Sequence, residues 1–460
     1  MYAPNPLSVA IVGFGPSGAY VAGHLLSNTG IDARVDVFER LPTPWGLVRA
    51  GVAPDHPKIK AVTRVYEQTA QDPRLRYFGN VQLGAQVTRD DLLARYHAVI
   101  YAFGAPAERP LSIPGERLAG CITAGAFVGW YNGHPDHRDH SIDLSGRRAV
   151  VIGAGNVALD VARMLTLAPA QLARTDIADH ALQALAHSRI EEVVVVGRRG
   201  PEQAAFTDAE LRELGELADV DLDVDPVEVS VPARLRERRP SRGSQRNLAL
   251  LLRYAGRPAR GRPRRIALRF LLSPTRVLGD DRVRAVELVR NGLVRGSDGR
   301  LHARPTGAGA RVPAGLVLSA VGYRGLPIDG VPFDERRGTV ANLHGRVRHA
   351  HAAHSREYVV GWAKRGPTGT IGTNKRCALE TVRVLLQDMI AGRLDAPIQG
   401  APAVEAFLRS RQPELVQWAD WEAIDRHERS LGQAAQRPRV KLTRVHELLD
   451  AAAGERRLSA

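Results

Sequence analysis

Two glycine-rich segments of this sequence have the spacing that binds the phosphates of a dinucleotide. Residues 13–18 read GFGPSG, a full GxGxxG, and residues 153–158 read GAGNVA, which is GxGxxA. Such glycines are needed where the chain turns tightly, where the backbone approaches a pyrophosphate and where helix meets strand. The helix that follows presents free N–H groups to the phosphates. The sequence therefore predicts two dinucleotide-binding turns in one chain.

The residues that end the next strand differ between the two sites. After the first turn comes Glu39, whose carboxylate can accept a hydrogen bond from a ribose 2′-hydroxyl. After the second turn come Arg198 and Arg199, whose guanidinium groups can hold a 2′-phosphate that a carboxylate would repel. This difference predicts a cofactor such as FAD at the first site and NADP(H) at the second. The combination of these two cofactors indicates hydride transfer from NADP(H) to a flavin, which can release the electrons one at a time.

The elements that must position these residues alternate between strand and helix. Around the first turn the pattern predicts strands over 8–12 and 35–39 and a helix over 19–27. Around the second it predicts strands over 149–152 and 192–196 and a helix over 158–167. Two more apolar strands end at a glycine, over 98–104 and 316–322. Alternation of this kind predicts an α/β protein with two interleaved Rossmann-like domains on parallel sheets.

The order of these elements predicts a cofactor domain that is split in the sequence. Residues 1–106 form the first part of an FAD-binding domain, and an NADP-binding domain is inserted over 107–332. Residues 333–460 return to the FAD-binding domain and end in helices that contain Trp418, Trp421 and Leu431.

Composition excludes several classes of protein. The 460 residues are 44% hydrophobic and 25% charged, an ordinary globular balance, and they contain no uninterrupted apolar run of about 18 residues. Because the N-terminus lacks the pattern of a signal peptide, we expect a cytoplasmic protein without a membrane partner. Cys121 and Cys377 are the only cysteines, which leaves no ligand set for an iron–sulfur cluster and no redox dithiol. No metal site is predicted.

The net charge of +15 is concentrated in one segment. Residues 232–276 contain 14 arginines against one acid, Glu237. A basic field of this kind attracts an acidic protein, a nucleic acid or an anionic surface. The arginine and proline runs over 232–263 look like a solvated excursion, although residues 247–254 (NLALLLRY) are apolar enough to be helical.

Further motifs resemble a known family. They are residues 45–49 (WGLVR), 51–56 (GVAPDH), 78–81 (FGNV), 153–160 (GAGNVALD) and 361–374 (GWAKRGPTGTIGTN). Over nearly its whole length the chain resembles the adrenodoxin-reductase-type ferredoxin–NADP reductases, including their actinobacterial members. The resemblance implies a glutathione-reductase-like flavoprotein architecture and electron exchange between NADP(H) and a small acidic iron–sulfur protein, a ferredoxin.

The resemblance adds further expected cofactor contacts to the turn residues. The expected FAD contacts are Gly13, Gly15, Pro16, Ser17, Gly18, Glu39, Arg40, Gly46, Leu47, Val81, Gly104, Trp362, Gly369, Thr370 and Ile371. The expected NADP contacts are Gly153, Gly155, Asn156, Val157, Arg198, Arg199, Glu210 and Gly369. The turn-rich loop around Gly369 has little side-chain bulk and can pass between flavin and nicotinamide, and Trp362 offers a flat face to the flavin.

Two smaller groups of residues complete the predicted site. His56 can form a hydrogen-bonded pair with an acid such as Asp160 or Glu213, and we expect these residues to modulate the reaction. In the family, arginines of the nucleotide domain dock the acidic iron–sulfur carrier, and that pattern falls on Arg242 and Arg246, one helical turn apart. A cytochrome P450 is one candidate for the downstream acceptor.

Three alternative functions remain open from the residues. A module like the small subunit of glutamate synthase would carry cysteine clusters, which this sequence lacks. A flavin monooxygenase would carry an FxGxxxH segment between the two turns, and none is found. A nucleic-acid-binding role for residues 232–276 is disfavoured because only Tyr254 and Phe270 interleave with the arginines, and stacking on bases needs aromatic side chains.

Overall fold

The structure is a computed structural model, and it describes residues 6–230, 232, 240–350, 355–399 and 403–459, with side chains described up to residue 454. The strands in this part of the chain are β1 (Leu7–Val12), β2 (Ala33–Glu39), β3 (Leu75–Gly79), β4 (Ala98–Tyr101), β5 (Ala107–Glu108), β6 (Cys121–Thr123), β7 (Arg148–Ile152), β8 (Glu192–Gly197), β9 (Val220–Val224), β10 (Arg264–Phe270), β11 (Leu272–Leu278), β12 (Ala285–Arg295), β13 (Leu301–Pro313), β14 (Leu316–Ser319), β15 (Tyr323–Arg324), β16 (Phe333–Asp334), β17 (Thr339–Val340), β18 (Asn342–Leu343), β19 (Arg346–Val347) and β20 (Glu357–Val359).

The α-helices described are α1 (Pro16–Leu26), α2 (Leu47–Ala50), α3 (Pro57–Lys60), α4 (Thr63–Ala70), α5 (Arg89–Arg95), α6 (Ala124–Asn132), α7 (Asn156–Thr166), α8 (Pro169–Leu172), α9 (Asp179–Ala186), α10 (Asp208–Gly215), α11 (Pro226–Val229), α12 (Arg242–Ala255), α13 (Trp362–Arg365), α14 (Ile371–Ile390), α15 (Val404–Arg411), α16 (Trp418–Ala434) and α17 (Val445–Ser459). Short 3-10 turns cover Pro135–His137 and Pro201–Gln203. Among the described helices, none is both long and apolar enough to cross a membrane.

The chain divides into two compact units. The first consists of Met1–Val52, His56–Arg109 and Gly322–Ala460, and the second of Ala53–Asp55 and Pro110–Val321. The first unit is therefore discontinuous in the sequence, and a three-residue piece before His56 belongs to the second. It stays a prediction that FAD binds the first unit and NADP(H) the second.

The sheet of the first unit is mostly parallel and buried on both faces. Its seven strands lie in the order β18-β19-β20-β4-β1-β2-β3, and only the β18-β19-β20 edge is antiparallel. All six residues of β1 are buried. Val9 and Ile11 join the hydrophobic cluster on one face, and Ala10 and Val12 join the cluster on the other, as the alternation of side chains along a strand requires. Burial on both faces is typical of parallel sheets covered by helices.

The sheet of the second unit repeats this arrangement. Its six strands lie in the order β6-β14-β7-β8-β10-β9, and all pairings are parallel. Ala149 and Val151 of β7 face one hydrophobic cluster, and Val150 and Ile152 face another. Strands β11, β12 and β13 form a separate antiparallel meander, which the sequence reading did not predict.

Two expectations about elements need correction. Helices α1 and α7 begin at Pro16 and Asn156, inside the glycine turns and not after them, because the end of each turn forms the first turn of the helix. Residues 240–255 are not a solvated excursion: helix α12 spans Arg242–Ala255 and buries Leu250, Leu251 and Tyr254. The predicted helix over 247–254 is confirmed and longer than expected, whereas residues 233–239 lie outside the described part of the chain.

Candidate functional site

Two glycines of the first turn, Gly13 and Gly18, leave no room for a side chain. Gly13 has φ +99°, and a Cβ there would lie 2.9 Å from the backbone of Ala102. A Cβ on Gly18 would lie 2.1 Å from the Gly13 carbonyl oxygen. Among the described side chains none caps α1, whose first residue is Pro16. The N–H groups of its first turn are therefore available to a phosphate.

Other segments of the first unit converge on this turn. The Ser17 hydroxyl donates to Asn374 Oδ1 (3.2 Å), and a Cβ on Gly361 would lie 2.1 Å from the Ser17 Oγ. Gly46 has φ +46°, and a Cβ there would lie 3.2 Å from the Gly15 Cα. The structure thus brings the segments around residues 46, 361 and 374 to the predicted FAD turn.

Glu39 lies directly beside the turn. It ends β2, and its carboxylate accepts the Phe14 N–H (2.9 Å) and the Leu41 N–H (3.3 Å). Burial raises the pKa of Glu39, although the backbone N–H groups oppose that effect. The Val81 N–H donates to the Glu39 carbonyl oxygen (2.9 Å), so this predicted contact also reaches the turn. A carboxylate in this position fits the ribose of a dinucleotide.

The remaining predicted FAD residues of this unit lie on loops and helix ends. Leu47 and Trp362 begin the short helices α2 and α13, and the Trp362 ring lies 5.5 Å from that of Tyr323, centroid to centroid. Gly369 has φ +80° and precedes the start of α14. The other members of the set are exposed Arg40, Gly104 with open space at its Cβ position, Thr370 at the N-cap of α14 and Ile371, its first residue.

The second glycine turn has the geometry of a phosphate cradle. Gly153 has φ +145°, and a Cβ there would lie 2.3 Å from the Ala320 carbonyl oxygen. Gly155, at the N-cap of α7, faces open space: a Cβ would meet no described heavy atom within 4 Å. The Asn156 Oδ1 accepts the Thr207 N–H (2.8 Å), which fixes the first residue of α7; Val157 follows it. The residues present therefore fit a pyrophosphate on the helix N-terminus.

Arg198 and Arg199 follow β8, and both are exposed. The meander and the residue before it hold their backbone. The Asn291 side chain of β12 donates to the Arg198 carbonyl oxygen (2.9 Å), and the Leu271 N–H, just before β11, donates to that of Arg199 (3.1 Å). Within the described part of the chain, no carboxylate lies in ion-pair distance of Arg198. Sequence reasoning missed Asn291, which is buried in the structure. Its only signal in the sequence is an amide side chain among the apolar residues of β12.

A buried arginine gathers the predicted acids of the second unit. Arg163, only 1% exposed, contacts Asp160 (2.7 Å), Glu210 (3.4 Å) and Glu213 (3.9 Å), and it also binds Asp55 (2.6 Å). Burial alone lowers the pKa of Arg163, but the carboxylates, Asp160 first, outweigh burial and raise it. Neither Arg163 nor Asp55 was predicted, although an arginine within the apolar run of α7 is a signal in the sequence.

His56 belongs to the first unit, whereas Asp160 and Glu213 belong to the second. It lies at the N-cap of α3 and is 9% exposed. Its pairing with either acid stays a prediction.

The two predicted docking arginines lie in the first part of α12, on its exposed side. Arg246 forms an ion pair with Asp208 (2.9 Å). Arg242 is the first residue of the helix, and the first turn contains no acid to balance it. Cations at a helix N-terminus oppose the macrodipole, so this placement costs stability.

In each of the two sheets, one strand is followed by a glycine turn that leads into an uncapped helix. This arrangement defines an α/β protein with two dinucleotide sites. The acid beside one turn and the arginine pair beside the other define the class as a flavin- and NADP-dependent oxidoreductase.

Comparisons with known proteins agree with this class, although no protein-family model matches the chain. It is 50% identical over 454 residues to the NADPH-ferredoxin reductase FprA of Mycobacterium tuberculosis, covering 97% of this chain and 99% of that protein. It is 43% identical over 454 residues to the human mitochondrial NADPH:adrenodoxin oxidoreductase, covering 96% and 91%. The structure of M. tuberculosis FprA in complex with NADPH matches with a TM-score of 0.93 at 49% identity, covering 98% of this chain and 100% of the other.

The chain therefore belongs to the family of NADPH–ferredoxin reductases. The predicted family, fold class and enzyme class are confirmed, and so are FAD and NADP(H) as the cofactors.

Proposed function

We propose that this chain takes a hydride from NADPH held at residues 153–158 and passes the electrons, through FAD held at residues 13–18, to a small acidic iron–sulfur protein of the ferredoxin type. FAD, when bound, supplies the conversion of a two-electron hydride into single electrons. The chain's own residues bind and orient the cofactors and exclude water. The observation that supports this most strongly is the difference between Glu39 at one turn and Arg198 with Arg199 at the other.

The 2′-phosphate assignment is tested by the double variant Arg198→Ala/Arg199→Ala. The charge-assisted hydrogen bonds that two exposed arginines make to a phosphate together contribute about 1.5–3 kcal/mol, so we expect the KM for NADPH to rise by about 10- to 100-fold. The KM for NADH should change by less than about threefold, because NADH has no 2′-phosphate. Steady-state reduction of ferricyanide with each nucleotide measures both values.

The matched control is Arg300→Ala/Arg304→Ala, which removes two exposed arginines of the same unit. It should leave both KM values unchanged. Equal losses with NADPH and NADH in the Arg198/Arg199 variant would refute the assignment.

We propose that the basic end of α12 docks the acidic carrier. Arg242 and Arg246 are exposed there, and Asp208 neutralises part of the Arg246 charge. Of the two, Arg242 should therefore contribute more to binding. We also propose that the protein is cytoplasmic and that a cytochrome P450 is one downstream acceptor of the electrons.

The docking proposal predicts that Arg242→Ala lowers kcat/KM for an acidic plant-type [2Fe–2S] ferredoxin by about 3- to 10-fold at low ionic strength. Ferredoxin-dependent cytochrome c reduction measures this rate, and added salt should reduce the difference. NADPH–ferricyanide activity should not change. Arg253→Ala, at the other end of the same helix, is the control and should retain at least half the ferredoxin activity. A wild-type rate for Arg242→Ala would contradict the docking role.

A further inference from the structure

Three histidines of the second unit come together in a short segment that the proposed reaction does not use. Helix α6 ends at Gly133, which has φ +73°, and the chain continues into the 3-10 turn Pro135–His137. His134, His137 and His140 are three residues apart. The 3-10 turn ends at His137, and the His140 N–H donates to the His137 carbonyl oxygen (3.4 Å), so the chain turns again between these two histidines.

The imidazole rings are in contact with each other. The ring centroids of His134 and His137 are 5.1 Å apart, and those of His137 and His140 are 5.4 Å apart and nearly parallel, at 21°. The His137 Nδ1 lies 3.2 Å from the His140 Nε2. His134 Nδ1 accepts the Asp136 N–H (3.2 Å), so the facing nitrogens of His137 and His140 are the pair of interest.

The separation of the two nitrogens suits a metal ion. Imidazole nitrogens bind Zn²⁺ at about 2.0–2.1 Å, so two ligands of one tetrahedral ion lie about 3.3 Å apart. The observed 3.2 Å is close to this value, so the rings need only turn until both lone pairs point at one ion. Without an ion, one of the two facing nitrogens carries a proton and donates it to the other in a hydrogen bond. When an ion binds, that ring adopts its other tautomer, so the proton lies on its far nitrogen and both facing nitrogens offer lone pairs.

The surroundings of the pair allow an ion to enter. His140 is exposed and His137 is partly exposed. Asp136 and Asp139 are exposed on the same segment, and Arg138 lies 3.8 Å from Asp139, which offsets its charge. The local charge of the described residues therefore does not oppose a dication.

We propose that His137 and His140 form a binding site for a divalent first-row transition-metal ion, of the kind that imidazole ligands favour, with Zn²⁺ as the best fit. This site differs from the sequence-based expectation of no metal, which considered cysteine clusters and not closely spaced histidines. The site is separate from the two dinucleotide turns in the sequence and takes no part in electron transfer.

The test measures zinc bound to the full-length, FAD-loaded protein prepared without an affinity tag. After equilibrium dialysis against buffered Zn²⁺, we expect one equivalent of zinc per wild-type chain, and an affinity at least tenfold weaker in His137→Ala and in His140→Ala. The control is His187→Ala, an exposed histidine of the same unit whose ring contacts only the Gln183 carbonyl oxygen among the described residues; it should bind zinc like the wild type.

Two further measurements keep the result interpretable. The flavin spectrum and melting temperature without zinc should match the wild type in both variants, which shows that they are folded. Zinc should raise the melting temperature of the wild type and not of the variants, because an ion that binds only the folded state stabilises it. Absence of a stoichiometric ion in the wild type, or full zinc binding by both variants, would overturn the proposal.

Discussion

Gly361 shows how a single residue can decide whether the first turn accepts a cofactor. It has φ +70°, and a Cβ there would lie 2.1 Å from the Ser17 Oγ. Ser17 belongs to the first turn of α1, and its hydroxyl donates to Asn374. Any side chain at residue 361 must therefore displace Ser17 in the first turn of α1, where we propose that FAD binds.

We expect Gly361→Ala to lose most of its FAD. Two effects contribute: strain of a non-glycine residue at positive φ, about 1–2 kcal/mol, and the clash with Ser17. Gly84→Ala separates them, because Gly84 has φ +88° but no described heavy atom within 4 Å of its Cβ position. The ratio of flavin to protein absorbance should fall at least fivefold in Gly361→Ala and stay near the wild-type value in Gly84→Ala. Similar FAD contents in the two variants would show that the clash is unimportant.

At the scale of elements, the meander positions the arginines that we propose distinguish NADPH from NADH. Asn291 of β12 donates to the Arg198 carbonyl oxygen (2.9 Å) and to the Ser273 Oγ (2.8 Å), and it is only 4% exposed. Its own N–H donates to the Leu271 carbonyl oxygen (2.7 Å). One buried amide thus joins the end of β8 to two strands of the meander, which fixes the backbone from which the arginines extend.

We therefore expect Asn291→Ala to raise the KM for NADPH by about 3- to 10-fold, since a lost buried hydrogen bond costs about 1–1.5 kcal/mol. The KM for NADH should change less, because the effect acts through the arginines. Ser273→Ala is the control: it removes one partner of Asn291 but leaves the bond to Arg198. A KM for NADPH in Asn291→Ala equal to that in Ser273→Ala would exclude this role of the meander.

At the scale of the whole molecule, buried carboxylates paired with arginines set the response to acid. In the first unit, Glu357 binds Arg89, Asp388 binds Arg346, and Glu428 binds Arg49. Burial raises the pKa of each carboxyl group, but the arginine interactions outweigh burial, so all three pKa values are lowered. Such groups stabilise the fold above their unfolded pKa, about 3.9–4.3, and the contribution is lost as the pH falls through the folded pKa.

We expect the free energy of unfolding to fall by at least about 2 kcal/mol between pH 5 and pH 3, measured by urea titration at constant ionic strength. Glu39 acts in the opposite direction, because its raised pKa returns some stability as it becomes protonated. Arg346→Met removes the two bonds to Asp388 and should show a shallower decline. A free energy of unfolding that is constant from pH 5 to pH 3 would contradict this account.

The sequence pattern predicted the turns, strands and helices whose formation depends on residues that are neighbours in the chain. The two turns, the strands before and after them and the helix over 247–254 follow from glycine spacing and apolar periodicity, and the structure contains them all. The meander was missed because β13 contains Pro305, Gly307 and Gly309 and has no clear alternation of apolar residues. Its strands are stabilised by pairing with β12, which is a contact between segments.

The sequence by itself determined that the chain uses two dinucleotide cofactors, FAD and NADP(H), because that property depends on a few adjacent residue types. Which turn holds the 2′-phosphate stays a prediction. Only the tertiary structure decided that Arg163 gathers Asp55, Asp160, Glu210 and Glu213 around one buried charge. Asp55 lies 108 positions before Arg163 in the chain. The reason is physical: a desolvated charge is stable only when the fold brings compensating charges to it, and no local pattern records which segments will meet.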